Sequence, residues 1–570
     1  MGTLAGYLTD VVGDAFGQMN LPRELGVVRV SDRPDLCQFQ CNGAMGAAKH
    51  AKKSPRDVAI ELVGLIAAHD AVEKVEIAGP GFINIDVKKS FINSFLSENS
   101  RKNLFGFVRV DNSPSVVLDY GGPNIAKAMH VGHLRSSIIG DTLRRIYKAA
   151  GYNAIGDVHM GDWGTPMGMI LSELELLGHE GPVTMEMLAE IYPKASAACK
   201  ADEARMELAR SATKKLQDGD VDATKRWQEF IDVSIAGMKK NFDALGVYFD
   251  EWKGESHAHP FIAPMVKDLK ERSIAVEDQG AVIVPVKKND DKKEFPPLIL
   301  LKSDGAVLYG TTDLATIIDR EQSYQPVKIV YCVDQRQSLH FEQVFRAARI
   351  SKIAEGTDLI FAGFGTMNGL DGKPFKTRDG GVMRLDDLIE MGLEKARARL
   401  SEANLDESID EQEREDIAHK VAIAAIKFAD LQNQRQSDYI FDLDRMTAFE
   451  GKTGPYLLYQ AVRISSLLRK ADVFDEDAEF IIGEDELPLA LLLLEFADHF
   501  ENALKNHAPH VLCEYVYKIA QAFSSFYGSC HILSEEDQYV RASRLRLCAV
   551  TRNYIIAILG LLGIDVPERM

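Results

Sequence analysis

The apolar positions change texture three times along the chain. From residue 1 to about 105 they first recur at helical spacing. They then concentrate in VEKVEIAGPGFINIDV (72–87), where Gly79-Pro80-Gly81 separates two strand-like runs. A small α/β domain follows from that pairing, closing at the polar ENSRKNLFG stretch. From about 111 to 395, short apolar runs alternate with amphipathic helical stretches. The runs are SVVLDYG (115–121), NAIGDVHMG (153–161), PLILLKSDG (297–305) and VKIVYCVD (327–334). Such alternation predicts a parallel sheet with crossover helices. A charged, alanine-rich segment at about 180–250 interrupts it and predicts a helical insertion. Beyond about 400 the strand signal vanishes, and IAHKVAIAAIKFADL (417–431) and CEYVYKIAQAFSSFYGSC (513–530) predict an all-helical end. The expected domains are 1–108, 109–395 and 396–570, with no internal repeat and no low-complexity linker.

Composition narrows the function classes. Asp and Glu number 85 against 66 Lys and Arg, a formal charge of −19. That field repels polyanions and argues against a general nucleic-acid coat or a DNA-binding role. A local basic surface for one defined RNA stays open, because exposed charges are screened beyond about 8–10 Å. The seven cysteines (37, 41, 199, 332, 513, 530, 548) form no CxxC pair and no zinc spacing. They read as free thiols in a reducing cytosol, and no protein-bound metal is expected. The N-terminus lacks the pattern of a signal peptide, and the runs LPLALLLLEFA (487–497) and YIIAILGLLGIDV (554–566) are shorter than a membrane span of about 20 residues. A soluble cytoplasmic protein with no membrane partner is expected.

The candidate chemistry lies in HVGHLRS (130–136). SVVLDYGG reads as a strand, PNIAKAMHVG as a loop, and HLRSSIIGDTLRRIYKAAG as a helix ending at Gly151. A strand, loop and helix in that order point backbone N–H groups and a positive helix end at a phosphate. His130 and His133 lie one turn apart, so both imidazoles can donate to one anionic ligand, and Gly132 allows close approach. Taken alone, the motif is equally a helix start with two satisfied surface histidines.

Further stretches carry a family resemblance. PNIAKAMHVGHLRSSIIGD (123–141) resembles the first signature of class I aminoacyl-tRNA synthetases in the form used by arginyl-tRNA synthetases. HMGDWGTPMG (159–168) resembles that family's Gly-Asp-Trp-Gly segment, and KPFKTRDGGVMRLDDLI (373–389) its mobile lysine loop. FEGKTGPYLLYQAVR (449–463) and GIDVPERM (563–570) are similar to its C-terminal helical domain, and QFQCNGAMGAAK (38–49) with GPGFINI to its N-terminal domain. The resemblance spans nearly the whole chain with its motifs in order. It implies a Rossmann-type catalytic core with a helical insertion, an N-terminal α/β domain for the tRNA elbow and a C-terminal helical bundle for the anticodon.

The reaction so implied joins arginine to the α-phosphorus of ATP, releases pyrophosphate, and moves the arginyl group to the terminal ribose of tRNA(Arg). ATP enters as substrate with Mg²⁺, with no resident organic cofactor, and the family implies a monomer. His130, His133 and Gly132 would meet the nucleotide, and Lys127, Lys373 and Lys376 would neutralise phosphate charge. The alternative for each lysine is a solvated surface charge. Asp119, Asn124, Tyr309, Asp313 and Gln337 map onto the arginine pocket, where carboxylates match the guanidinium fork. Packing by Tyr309 and capping by Asp313 are the alternative. Asp119 stands where the family usually has glutamate, Gly121-Gly122 where it has two serines, and Pro166, where glutamine is common, receives no role. Asp162 and Trp163 would shape the floor of the site, or simply form a packed turn. For tRNA, the resemblance points to Tyr456, Tyr459, Met570, Phe82 and Asn84, with Arg541, Arg544, Arg546 and Arg552 as phosphate contacts; core packing is the alternative for the tyrosines. Competing functions are a synthetase for another amino acid, a simpler nucleotidyltransferase, and a catalytically silent tRNA-binding paralogue.

Overall fold

A computed structural model describes residues 2–373, 383–402, 409–471 and 474–570. The chain divides into two compact units, one formed by 110–455 with 561–564, the other by 1–109, 456–560 and 565–570.

In the first unit, SVVLD forms β1 (Ser115–Asp119), buried at four of its five positions. The chain returns through α1 (Leu134–Ala149) to β2 (Asn153–Asp157), which pairs with β1 in parallel. Helix α1 stops where Gly151 takes φ +102°, a conformation that favours glycine. After a helix at Thr165–Leu176 come the three helices of the insertion, α2 (Met185–Ala201), α3 (Glu203–Gln217) and α4 (Val221–Ala244), then α5 (Glu255–Glu271) and α6 (Tyr309–Tyr324). Thr184, Asp202 and Asp220 each accept a backbone N–H at the start of an insertion helix, which is why this polar stretch is helical. The chain then enters β3 (Lys328–Tyr331), α7 (Ser338–Ser351) and β4 (Asp358–Phe361). All pairings in this sheet are parallel, in the order β4-β3-β1-β2. Strand order reverses at β1, so the C-terminal ends of β1 and β3 flank a topological switch point, the usual ligand crevice of such sheets.

One expected strand lies elsewhere. The PLILLKSDG run supplies Leu298–Leu301 to a separate antiparallel sheet with Val276–Asp278 and Ala281–Val284. Gln279 and Gly280 both adopt positive φ (49° and 83°), the hairpin geometry that joins antiparallel neighbours. A second departure is small: Tyr439–Ile440 pairs with Met367–Asn368 beyond the point where strands were expected to end. Helix Leu385–Glu402 runs through residue 396, where the sequence reading began a new domain.

The other unit has a four-stranded antiparallel sheet and a set of helices. Val28–Val30, Phe39–Cys41, Phe82–Val87 and Val72–Ala78 lie in that order, the last two joined at Gly79-Pro80-Gly81. Helices including Phe496–Asn506, Pro509–Ser529 and Gln538–Leu561 share an aromatic core in which Phe105 stacks on Tyr554 at 3.5 Å. Residues from both ends of the chain thus build one unit. No helix among the described residues is long and apolar enough to cross a membrane.

Candidate active site

The HVGH segment is set by reciprocal capping. His130 accepts the Gly132 N–H through Nδ1 at 3.1 Å, and His133 accepts the His130 N–H through Nδ1 at 3.1 Å. With both Nδ1 atoms accepting, the proton of each neutral ring sits on Nε2, leaving one donor per ring. The ring centroids are 4.0 Å apart. Burial, then the charge of Lys127, holds His130 below the ordinary histidine range; burial and the neighbouring His130 push His133 down to about 3. Both rings are therefore neutral donors at physiological pH. A side chain on Gly132 would meet the His130 ring at 2.8 Å, so this glycine first of all makes room for the histidine's own cap.

The rest of the motif is structural. Arg135 is buried, donating from Nε to Asp430 Oδ2 at 3.0 Å and from Nη1 to the Gly365 carbonyl at 2.7 Å. Ser136 accepts the Gly121 N–H at 2.8 Å and donates to the Cys332 carbonyl at 2.6 Å, which ties β1 to β3 across the switch point. Gly121 lies at φ +84°, and a Cβ there would sit 2.9 Å from Phe249. The departure from the family's serine is thus a packed feature of this chain.

Carboxylates gather on the other wall. Tyr309 and Asp313 occupy the first turns of α6. Asp313 Oδ2 lies 2.5 Å from His340 Nε2, while Tyr309 is 73% exposed and open to a ligand. Glu255, which no sequence motif singles out, begins α5. Burial pushes its carboxyl up to about 7, with like charge from Asp162 and Asp313 adding to the effect against the opposing pull of His159. Asp162 fixes the start of α5, accepting the Ser256 N–H at 2.9 Å and its hydroxyl at 2.6 Å. Asn124 lies against Gly161, where a Cβ would come within 2.1 Å of Asn124 Oδ1. Gln337 is exposed at the start of α7. Asp119 is buried and gives Oδ2 to the fully buried Arg320 at 2.6 Å, which also reaches Asp157 at 2.6 Å. The internal Arg320 guanidinium, shared with Asp157, therefore already pairs with Asp119, and His340 with Asp313, while Glu255 has no ion pair among the described residues.

Comparison with known proteins fits this geometry. The model for tRNA synthetases class I (R), catalytic domain, matches residues 93–443, the arginyl tRNA synthetase N terminal domain 3–87, and the DALR anticodon binding domain 457–570. The arginine–tRNA ligase of Maricaulis maris is 47% identical, with all of both chains covered. The chain belongs to the arginyl-tRNA synthetase family. The arginine–tRNA ligase of Alkaliphilus oremlandii is 45% identical over the full length of both chains. Among solved structures, the arginyl-tRNA synthetase of Plasmodium falciparum is 26% identical with a TM-score of 0.84, covering 100% of this chain and 99% of that one. The Thermus thermophilus arginyl-tRNA synthetase, 22% identical with a TM-score of 0.82 and 100% of both chains covered, shares the fold.

Against that family pattern, Lys127 and Lys373 are both exposed, and Lys376 lies outside the described residues. The backbone just after that loop is fixed to the histidine segment: Val131 N–H donates to the Met383 carbonyl at 3.0 Å, and Leu385 N–H to the Met129 carbonyl at 3.0 Å. In the other unit, Phe82 and Asn84 share the half-buried face of one strand while Ile83, Ile85 and Val87 face the core. Tyr459 is 46% exposed, Tyr456 is half-buried with its ring 5.8 Å from Tyr517, and Met570 is half-buried. Two expected phosphate contacts are corrected. Arg544 is held by Glu486 and Glu535 at 2.7 and 2.6 Å, and buried Arg546 donates to the Ala478 carbonyl and Ser97 hydroxyl. A stretch with four arginines does not reveal from sequence that two of them point into the protein.

Proposed function

We propose that the chain activates L-arginine with ATP and transfers it to the 3′-terminal ribose of tRNA(Arg). The arginine carboxylate attacks the α-phosphorus, pyrophosphate leaves, and the adenylate then gives its acyl group to the ribose hydroxyl, releasing AMP and the hydroxyl proton. No protein nucleophile is needed; alignment and charge neutralisation do the work. His130 and His133 donate from Nε2 to the phosphates, and Gly132 supports that turn. Lys127, Lys373 and Lys376 supply positive charge, with Mg²⁺ arriving on the triphosphate as part of the substrate. Asp313, Glu255 and Tyr309 receive the guanidinium; Asn124 and Gln337 hold the α-amino and carboxylate end. Asp119 shapes this pocket through Arg320.

The observation that carries the reading is the half-buried Glu255 carboxyl at the start of α5, close enough to Asp162 and Asp313 for their like charge to raise it further, an acidic cluster suited to a guanidinium. For the tRNA, Tyr456, Tyr459 and Met570 serve the anticodon, and Phe82 and Asn84 the elbow, by family resemblance; half-exposed aromatics suit base stacking. The same resemblance supports a cytoplasmic monomer without DNA or membrane partners. The decisive experiment is arginine-dependent charging of tRNA, with ATP–pyrophosphate exchange measured with and without tRNA; the resemblance implies that exchange needs tRNA. Asp313→Ala is expected to abolish arginine use while ATP binding survives. Charging with another amino acid, or unchanged arginine affinity in the variant, overturns the assignment.

A further inference from the structure

The loop carrying Lys127 follows a path the chain does not take unaided. Ala126 sits at φ +59°, a conformation rare for a residue with a side chain. Its N–H donates at 2.9 Å to the hydroxyl of Ser234, a fully buried contact, and Ser234 belongs to insertion helix α4. One residue on, the Lys127 Nζ lies 4.8 Å from the ring centroid of Tyr192 on insertion helix α2. Tyr192 is half-buried, and Lys127 has no ion pair among the described residues. A third contact repeats the pattern: Trp227 on α4 donates from Nε1 to the Asp162 carbonyl at 2.7 Å. The insertion thus grips the loops that follow β1 and β2.

We propose that Tyr192 is a positioning residue that holds the Lys127 ammonium ready for the triphosphate, with Ser234 fixing the backbone beneath it. The inference rests on the function proposed above. A lysine on a flexible stem samples many rotamers, and ordering it costs entropy when ATP arrives. A carboxylate partner would order it only by cancelling the charge the phosphates need. A ring face attracts the ammonium and leaves its charge intact. The insertion is then part of the wall of the active centre, and its α2 helix sets the aim of one cation.

The test is a double-mutant cycle in the full-length protein, read by tRNA charging with separate KM values for ATP, arginine and tRNA. Tyr192→Leu should lower kcat about tenfold, with KM for arginine and tRNA changed by less than about twofold. Tyr192→Phe keeps the ring face and should retain kcat within about threefold. In a Lys127→Ala background, Tyr192→Leu should cost nothing further. Tyr192→Met, which keeps bulk without a ring face, replaces the leucine variant in the cycle if that variant fails to fold. Equal losses with and without Lys127, or no loss in either variant, overturn the proposal. A wild-type protein that charges no arginine would strike the proposed function instead, so the two failures are told apart.

Discussion

The pH dependence of arginine binding follows from one carboxyl. Glu255 is pushed up to about 7 in the free site, chiefly by burial, with Asp162 and Asp313 adding like charge. A guanidinium bound there supplies the missing counter-charge, so the carboxyl of the complex falls well below pH 6. The sign then works out directly. Arginine binds the anionic form, which predominates above pH 7 and is depleted as pH falls through 7. For a free-site value of 7, the protonated fraction at pH 6 against pH 8 weakens binding about tenfold, and binding at pH 7 releases about half a proton. The folding linkage has its own sign. A raised acid stabilises the unliganded fold below its unfolded value and loses that contribution as pH rises through 7. Glu255→Gln should therefore weaken arginine binding, flatten its pH profile, and raise the unliganded Tm at pH 8. Titration calorimetry in two buffers of different ionisation enthalpy reads the proton release. Arginine affinity that does not change between pH 6 and 8, or that changes equally in Glu255→Gln, refutes the reasoning.

Two further perturbations separate structural charges from substrate charges. Arg135→Ala strands the buried Asp430 carboxylate and three carbonyl partners; it should cost about 3–5 kcal/mol, read as a shift of the urea midpoint. Asp119→Ala leaves Arg320 with Asp157 alone. It should lose about 3 kcal/mol of stability yet raise the KM for arginine less than Asp313→Ala does, and the reverse order of KM effects would return Asp119 to direct contact with the guanidinium.

What could be read from the sequence was what local spacing controls. Strand, loop and helix over 115–151 follow from apolar periodicity and from a helix that stops at Gly151, and the two histidines announced themselves by lying one turn apart. The run at 297–305 was legible as a strand but not as a member of a given sheet, because the deciding feature is the hairpin at Gln279-Gly280. Arg544 and Arg546 were misread because a basic stretch does not show that Glu486, Glu535 and main-chain carbonyls already occupy it. Glu255 and Arg320 carried no signal, since each gains its meaning from partners brought close only by the fold. Protonation state was equally hidden. The motif names two imidazoles, but the backbone N–H groups on their Nδ1 atoms leave Nε2 as the donor, and burial, with neighbouring positive charge, keeps them neutral. A charged imidazole pair 4.0 Å apart would repel itself and pay desolvation. A neutral pair can close on a phosphate without that cost, so the fold determines how the motif works, and the same burial that quiets the histidines leaves Glu255 waiting for a cation.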